Sequence, residues 1–223
     1  MAPHAAASIV HADDARDARD APTVRLPAFV GTTLAWLVPA FALWYFAAPI
    51  LVAPAVLLVR LVARAGLADV VRTIEQSGSV ATFVTTLASG TPASHGVVTV
   101  DVNMLVYSFG LPLFAALTLA ARERRWKKHL TIGYGAMLPF IAWGVLADFL
   151  KNVAITAGPS VASQLGFAAW QREAIAFAYQ FGALILPAVV PAVLWVALHG
   201  RFLAALRRAS IVQASATPPG STG

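Results

Sequence analysis

The stretch VTVDVNMLVYSFGLPLF, residues 98–114, begins as one kind of structure and ends as another. Val100, Val102 and Met104 alternate with Asp101, Asn103 and Leu105, the period of a half-buried strand. From Leu105 the apolar residues become continuous, as in a helix surrounded by lipid. A strand that runs straight into a membrane helix lies at the membrane boundary, and the rest of the chain can be read outward from it.

Composition agrees with a membrane setting. Of 223 residues, 59% are hydrophobic and 12% charged, and the mean hydropathy is +0.73. A soluble domain carries roughly a quarter charged residues. The net charge of +6 therefore reports orientation in a bilayer rather than binding to nucleic acid, and no nucleic-acid partner is expected. The chain has no cysteine, which excludes disulfides, thiolate metal sites and thiol nucleophiles.

Upstream of the strand, residues 69–103 are rich in Val, Thr, Ile and Phe and are broken by Ser77-Gly78, Gly90 and Pro92. This is the vocabulary of two or three short strands with turns. Such a small element is marginal alone, so it must pack on a neighbouring segment or a partner. Before it, residues 26–58 are apolar but contain Pro39, Pro49 and Pro54. Val30 to Pro49 reads as the first membrane span. Arg60 and Arg64 then share one face of an otherwise apolar helix, which suggests an amphipathic segment lying at the interface. A tight helical hairpin crossing back through Pro49 and Pro54 is the alternative.

Downstream, a second span covers about Leu105 to Ala121 and ends in ARERRWKKH, where Arg122, Arg124, Arg125, Lys127 and Lys128 face one acid, Glu123. A short basic loop stays cytoplasmic and touches lipid headgroups, so it fixes the topology. A third span runs from about Ile132 to Leu150. A loop with Gly158-Pro159-Ser160 follows, and a fourth span covers about Ile175 to Leu198, with Arg201, Arg207 and Arg208 beyond it. The N-terminal 25 residues mix Asp and Arg without the apolar core of a signal peptide, and both ends have the composition of solvated tails.

The expected fold is an α-helical integral membrane protein with four transmembrane helices and a small extracytoplasmic β-element between helices 1 and 2. The segments are a cytoplasmic tail at 1–25, helix 1 with its interfacial extension at 26–66, the β-element at 67–104, helices 2–4 at 105–206 and a second cytoplasmic tail at 207–223. In this topology Arg60 and Arg64 lie outside, against the charge rule, but two other basic clusters outvote them.

No catalytic constellation follows from the residue types. Ser108 and His199 should lie near opposite faces of the membrane, too far apart for a nucleophile and its base. Only Asp148 is an acid near a span, so an aspartyl dyad is not expected. His4, His11, His95, His129 and His199 are scattered along the sequence with no metal motif, so neither a metal nor another cofactor is expected. The G-x-G of TIGYGAM falls inside helix 3 and suits close helix packing better than nucleotide binding. Among the remaining polar residues are Asn103 and Tyr107 at the start of helix 2, Asp148 and Lys151 three apart on helix 3, Arg172 and Glu173 with Gln171 before helix 4, and Tyr179 and Gln180 within it. They read either as structural anchors and caps or as a contact for a partner or substrate.

Three stretches carry a family resemblance: VDVNMLVYSFGLPLFAALTLA, GAMLPFIAWGVLADFLKNVAI and WQREAIAFAYQFGALILPAVVPAVLWVALHGRFL. Together, over roughly residues 26–206, the chain resembles the exosortase H-associated membrane proteins. The resemblance implies a protein of the bacterial inner membrane encoded alongside an exosortase, and the basic clusters put both termini of this multi-pass chain in the cytoplasm. Exosortases are membrane peptidase-transpeptidases that process proteins with C-terminal sorting signals and use a Cys with Arg and His partners. A chain without Cys is then the associate and not the enzyme. The implied partners are membrane lipids and an exosortase or its substrates, with the oligomeric state left open. The resemblance does not itself fix the associate's role; the expectation is that it docks the peptidase or presents substrates. The rival from another class is a small carrier that uses Asp148, Lys151, Tyr179 and Gln180 as a polar path.

Overall fold

The computed structural model describes residues 26–89, 96–200, 202–204 and 206–207. The expected tails at 1–25 and 208–223, the turn through Gly90 and Pro92, and His4, His11, His95, Arg201 and Arg208 lie outside the described residues. The chain divides into two compact units, Thr32–His199 and a smaller one containing residues 26–31 and those from Gly200 onward. In the smaller unit the rings of Phe29 and Phe202 lie 5.0 Å apart.

Helix α1 is continuous over Leu26–Gly66, 41 residues with Pro39, Pro49 and Pro54 inside it. The expected division into a span and a separate interfacial helix is therefore not seen as a break, and the chain does not turn back at Pro49 and Pro54. Two other segments contact the helix backbone beside Pro49 and Pro54. Gln76 Nε2 donates to the Pro49 carbonyl at 2.8 Å, and the Tyr134 hydroxyl donates to the Leu51 carbonyl at 2.8 Å. The second half keeps an amphipathic pattern: Ala48, Val52, Ala55, Val56, Val59 and Ala63 are buried at spacings of three and four, one helical stripe.

A three-stranded antiparallel meander follows in the order β1-β2-β3, with β1 at Val71–Ser77, β2 at Val80–Ser89 and β3 at Gly96–Asn103. Gly78 takes φ 61° in the two-residue turn between β1 and β2, a conformation glycine adopts without a Cβ clash. The alternation read from the sequence is present. Val100 and Val102 are buried, while Thr99, Asp101 and Asn103 face solvent. Ile74, Ala81, Phe83, Thr85 and Leu87 are also buried. The sheet is tied to the second half of α1, where Arg60 Nε donates to the Ile74 carbonyl at 3.1 Å.

The strand passes into helix α2, Leu105–Ala120, with only Met104 between. Asn103 Oδ1 accepts from the Leu105 backbone N–H at 3.0 Å, so this side chain turns the chain from strand to helix. Helix α3 runs Trp126–Thr156 and ends in a π-helical turn at Asn152–Thr156. A short helix α4, Pro159–Leu165, occupies the region expected to be loop. Gly158 at φ 92° and Pro159 at the first position start it. Helix α5 runs Ala169–Leu198 with a π-helical turn at Phe181–Ile185. It starts two turns earlier than the sequence suggested, because Gln171 Oε1 accepts from the Ala168 N–H at 2.8 Å and caps a first turn that was read as loop.

Helices α1, α3 and α5 are long and apolar enough to cross a membrane. Helix α2 is apolar but belongs to a shorter class of 10–17 residues, below the roughly 20 residues of an untilted span. The described architecture is thus mostly helical, with three candidate membrane spans and one small sheet.

Candidate functional site

The polar residues singled out from the sequence separate into two groups. Tyr107, Asp148, Lys151 and Tyr179 gather where α2, α3 and α5 meet, joined by Asn152, which the sequence did not single out. Lys151 Nζ lies 3.1 Å from Asp148 Oδ1 and 4.3 Å from the centroid of the Tyr179 ring. Asn152 Nδ2 donates to Asp148 Oδ1 at 3.0 Å, and the Tyr107 ring rests against Gly144, one turn before Asp148 on α3. Tyr107 is buried at 4% exposure. The carboxylate thus has two donors, from Lys151 and Asn152, and the ammonium has a carboxylate and a π face, so each charge has partners within the protein.

Glycines allow this meeting. A Cβ on Gly144 would lie 2.3 Å from Tyr107 Cδ1, so the tyrosine ring rests on bare backbone. On α2, a Cβ on Gly110 would lie 2.5 Å from the Pro187 carbonyl oxygen, which brings α2 against α5. Of the two glycines in TIGYGAM, Gly133 receives the Phe114 ring, whereas Gly135 has open space beside it. The packing role expected of that pair belongs to Gly133 alone.

The second group is not drawn into the cluster. Arg172, Glu173 and Gln180 are exposed on α5, and Asn103 is occupied with the start of α2. The basic loop residues Arg122, Arg124, Arg125, Lys127 and Lys128 are all exposed, and Lys127 Nζ sits 5.5 Å from the Trp126 ring.

Ser108 and His199 have separate partners. Ser108 is buried and its Oγ accepts from Trp44 Nε1 at 3.2 Å. His199 is fully buried, and its Nε2 lies 3.3 Å from His129 Nδ1. His129 Nδ1 also lies 3.3 Å from Glu123 Oε2. The histidines looked scattered because 70 positions separate these two. A usable signal was present: each lies beside a basic cluster at a helix end, and the topology brings those ends to the same side.

Between α1, α2 and α3 lies an apolar cavity of ≈ 500 Å³ lined by residues that include Trp36, Leu43, Leu111, Phe114, Trp126 and Tyr134. Its walls come from three helices, two of them candidate spans.

A family model described as exosortase H-associated membrane protein matches residues 23–202. No curated protein and no solved structure matches the chain.

Proposed function

Because the chain belongs to the exosortase H-associated membrane protein family, we propose that it is a non-catalytic accessory subunit that docks an exosortase within the bacterial inner membrane. The observation that carries this reading is the apolar cavity between α1, α2 and α3, whose aromatic and aliphatic walls suit one membrane helix of the peptidase. Exposed Arg172 and Glu173 at the start of α5 offer a separate polar contact outside the cavity. The sheet beyond the spans is suited to receiving the substrate's processed end.

In this arrangement α2 is a fourth crossing. Its shortness is made up by Arg122 and Arg124 snorkelling to the headgroups and by local thinning of the bilayer. Both termini and the basic loop face the cytoplasm. Two features support a non-enzymatic role: the chain contains no cysteine, and the Ser108 hydroxyl is engaged by Trp44. The carrier reading is weaker, because Asp148, Lys151 and Tyr179 are committed to one another.

Photo-crosslinking in cells that express the exosortase tests this. A photoreactive residue at Leu43 or Ala115, both lining the cavity, is expected to capture the peptidase, while one at exposed Leu61 is not. Absence of a peptidase adduct from either cavity position, with the exosortase present in the same membrane, overturns the docking reading.

A further inference from the structure

The geometry points to a divalent transition-metal site, of the zinc class, formed by Glu123, His129 and His199. The three residues come from the loop after α2, the start of α3 and the end of α5, and no pair of their ligand atoms exceeds 4.8 Å. Zinc binds imidazole nitrogen at about 2.0–2.1 Å and carboxylate oxygen at about 2.0–2.2 Å, which sets neighbouring tetrahedral ligands roughly 3.3 Å apart. His129 Nδ1 lies 3.3 Å from His199 Nε2 and 3.3 Å from Glu123 Oε2. Two edges of the ligand triangle therefore already have the required length. A small swing of the Glu123 side chain, which is 23% exposed on its loop, closes the third.

The protonation pattern agrees. His199 Nδ1 lies 3.0 Å from the Trp195 carbonyl oxygen. A carbonyl only accepts, so this nitrogen carries the proton and Nε2 keeps its lone pair directed at His129 and Glu123. A backbone carbonyl that fixes the tautomer of a buried imidazole is the usual support for a metal-bound histidine. The Trp195 ring stacks on His199 at 5.2 Å between centroids and holds its plane. Without a metal, the single proton on His129 Nδ1 can serve either Glu123 or His199.

Charge works against the site only from outside it. Arg122, Arg124, Arg125, Lys127 and Lys128 are exposed and flank the ligands in sequence, so they lower the affinity for a cation, but the water around their side chains weakens that repulsion. The ligand bonds act directly. With two nitrogens and one carboxylate, the donor set suits Zn²⁺ and neighbouring divalent ions rather than Ca²⁺ or Mg²⁺. The fourth position is left to water, reached past the partly exposed Glu123 and His129. The bound ion would join the loop side of three helices, a staple that the docking function neither requires nor excludes.

The test uses the full chain in nanodiscs, carrying an affinity tag without histidine and stripped with a chelator. Zn²⁺ added at micromolar concentration is expected to bind at about one equivalent per chain and to raise Tm by several degrees. Co²⁺ is expected to give the visible bands of a four- or five-coordinate ion. Glu123→Gln and His129→Gln, both at partly exposed positions, are expected to weaken Zn²⁺ binding by about tenfold or more and to abolish the Tm rise. A variant with His4, His11 and His95 all replaced by Ala is expected to bind as the native chain does. The proposal is overturned if the native chain takes up no Zn²⁺ under these conditions, or if His129→Gln binds with unchanged affinity and stoichiometry.

Discussion

Gly144 and Gly182 bring α3 and α5 together backbone to backbone: a Cβ added to Gly182 would lie 3.0 Å from Gly144 Cα. The other side of Gly144 is covered by the Tyr107 ring, 2.3 Å from where a Cβ would stand. One residue without a side chain therefore joins three helices. Gly144→Ala is expected to cost about 1–3 kcal/mol through overpacking, seen as a lower Tm by tryptophan fluorescence in detergent. Gly135→Ala, with open space around it, is the control; it should gain up to about 1 kcal/mol from helix propensity. Equal effects at the two positions would show that the helices do not pack closely at Gly144.

Asp148 and Lys151 are expected to act as a unit. Asp148→Ala leaves both the Lys151 ammonium and the Asn152 amide without the carboxylate they share, at a cost of about 3 kcal/mol in this partly buried setting. Asp148→Asn and Lys151→Met, combined in a double-mutant cycle on unfolding, should show a coupling of about 1–2 kcal/mol. Simple additivity would mean the pair is formed without consequence.

The rings of Phe83 and Phe149 stack at 4.3 Å with 14° between their planes, and both side chains are fully buried. Phe83→Ala is expected to cost about 3–5 kcal/mol and to expose the sheet to limited proteolysis before the helices are cut. A sheet that resists protease as well as the native one would show that its hold on α3 lies elsewhere.

Arg172 and Glu173 differ from Asn103 in what they should report. Alanine at either α5 position is expected to move stability by no more than about 0.5 kcal/mol while reducing capture of the exosortase. Asn103→Ala removes the acceptor for the Leu105 N–H and is expected to cost about 1 kcal/mol. If Arg172→Ala lowers stability and leaves capture intact, its role is structural.

The parts of the fold legible in the sequence were those written in local periodicity. The alternation of Val100, Val102 and Met104 marked β3, and the continuous apolar runs marked α1, α3 and α5. The prolines point to a break at Pro49 and Pro54 that α1 does not have, and no local pattern announces the contacts made to its backbone there by Gln76 and by Tyr134, the latter 83 positions away. The i, i+3 spacing gave the Asp148–Lys151 pair, but Tyr107 and Tyr179 joined it only through helix packing. The Glu123, His129 and His199 group was missed for the same reason: its members meet in space and not in sequence.

The sheet's dependence on later segments sets an order on synthesis. Phe83 needs Phe149. At the far end of β2, beyond the last residue paired with β1, the Gln164 amide donates to the Ala88 carbonyl and accepts from its N–H. Both partners emerge from the ribosome well after β3 is complete. Until α3 and α4 arrive, the nascent sheet has an uncovered apolar face and an open strand edge, the features that invite misassembly. The sheet is thus finished only once α3 and α4 are made, although its own strands are made early, and a holding factor or rapid insertion of α3 would govern the yield of folded protein.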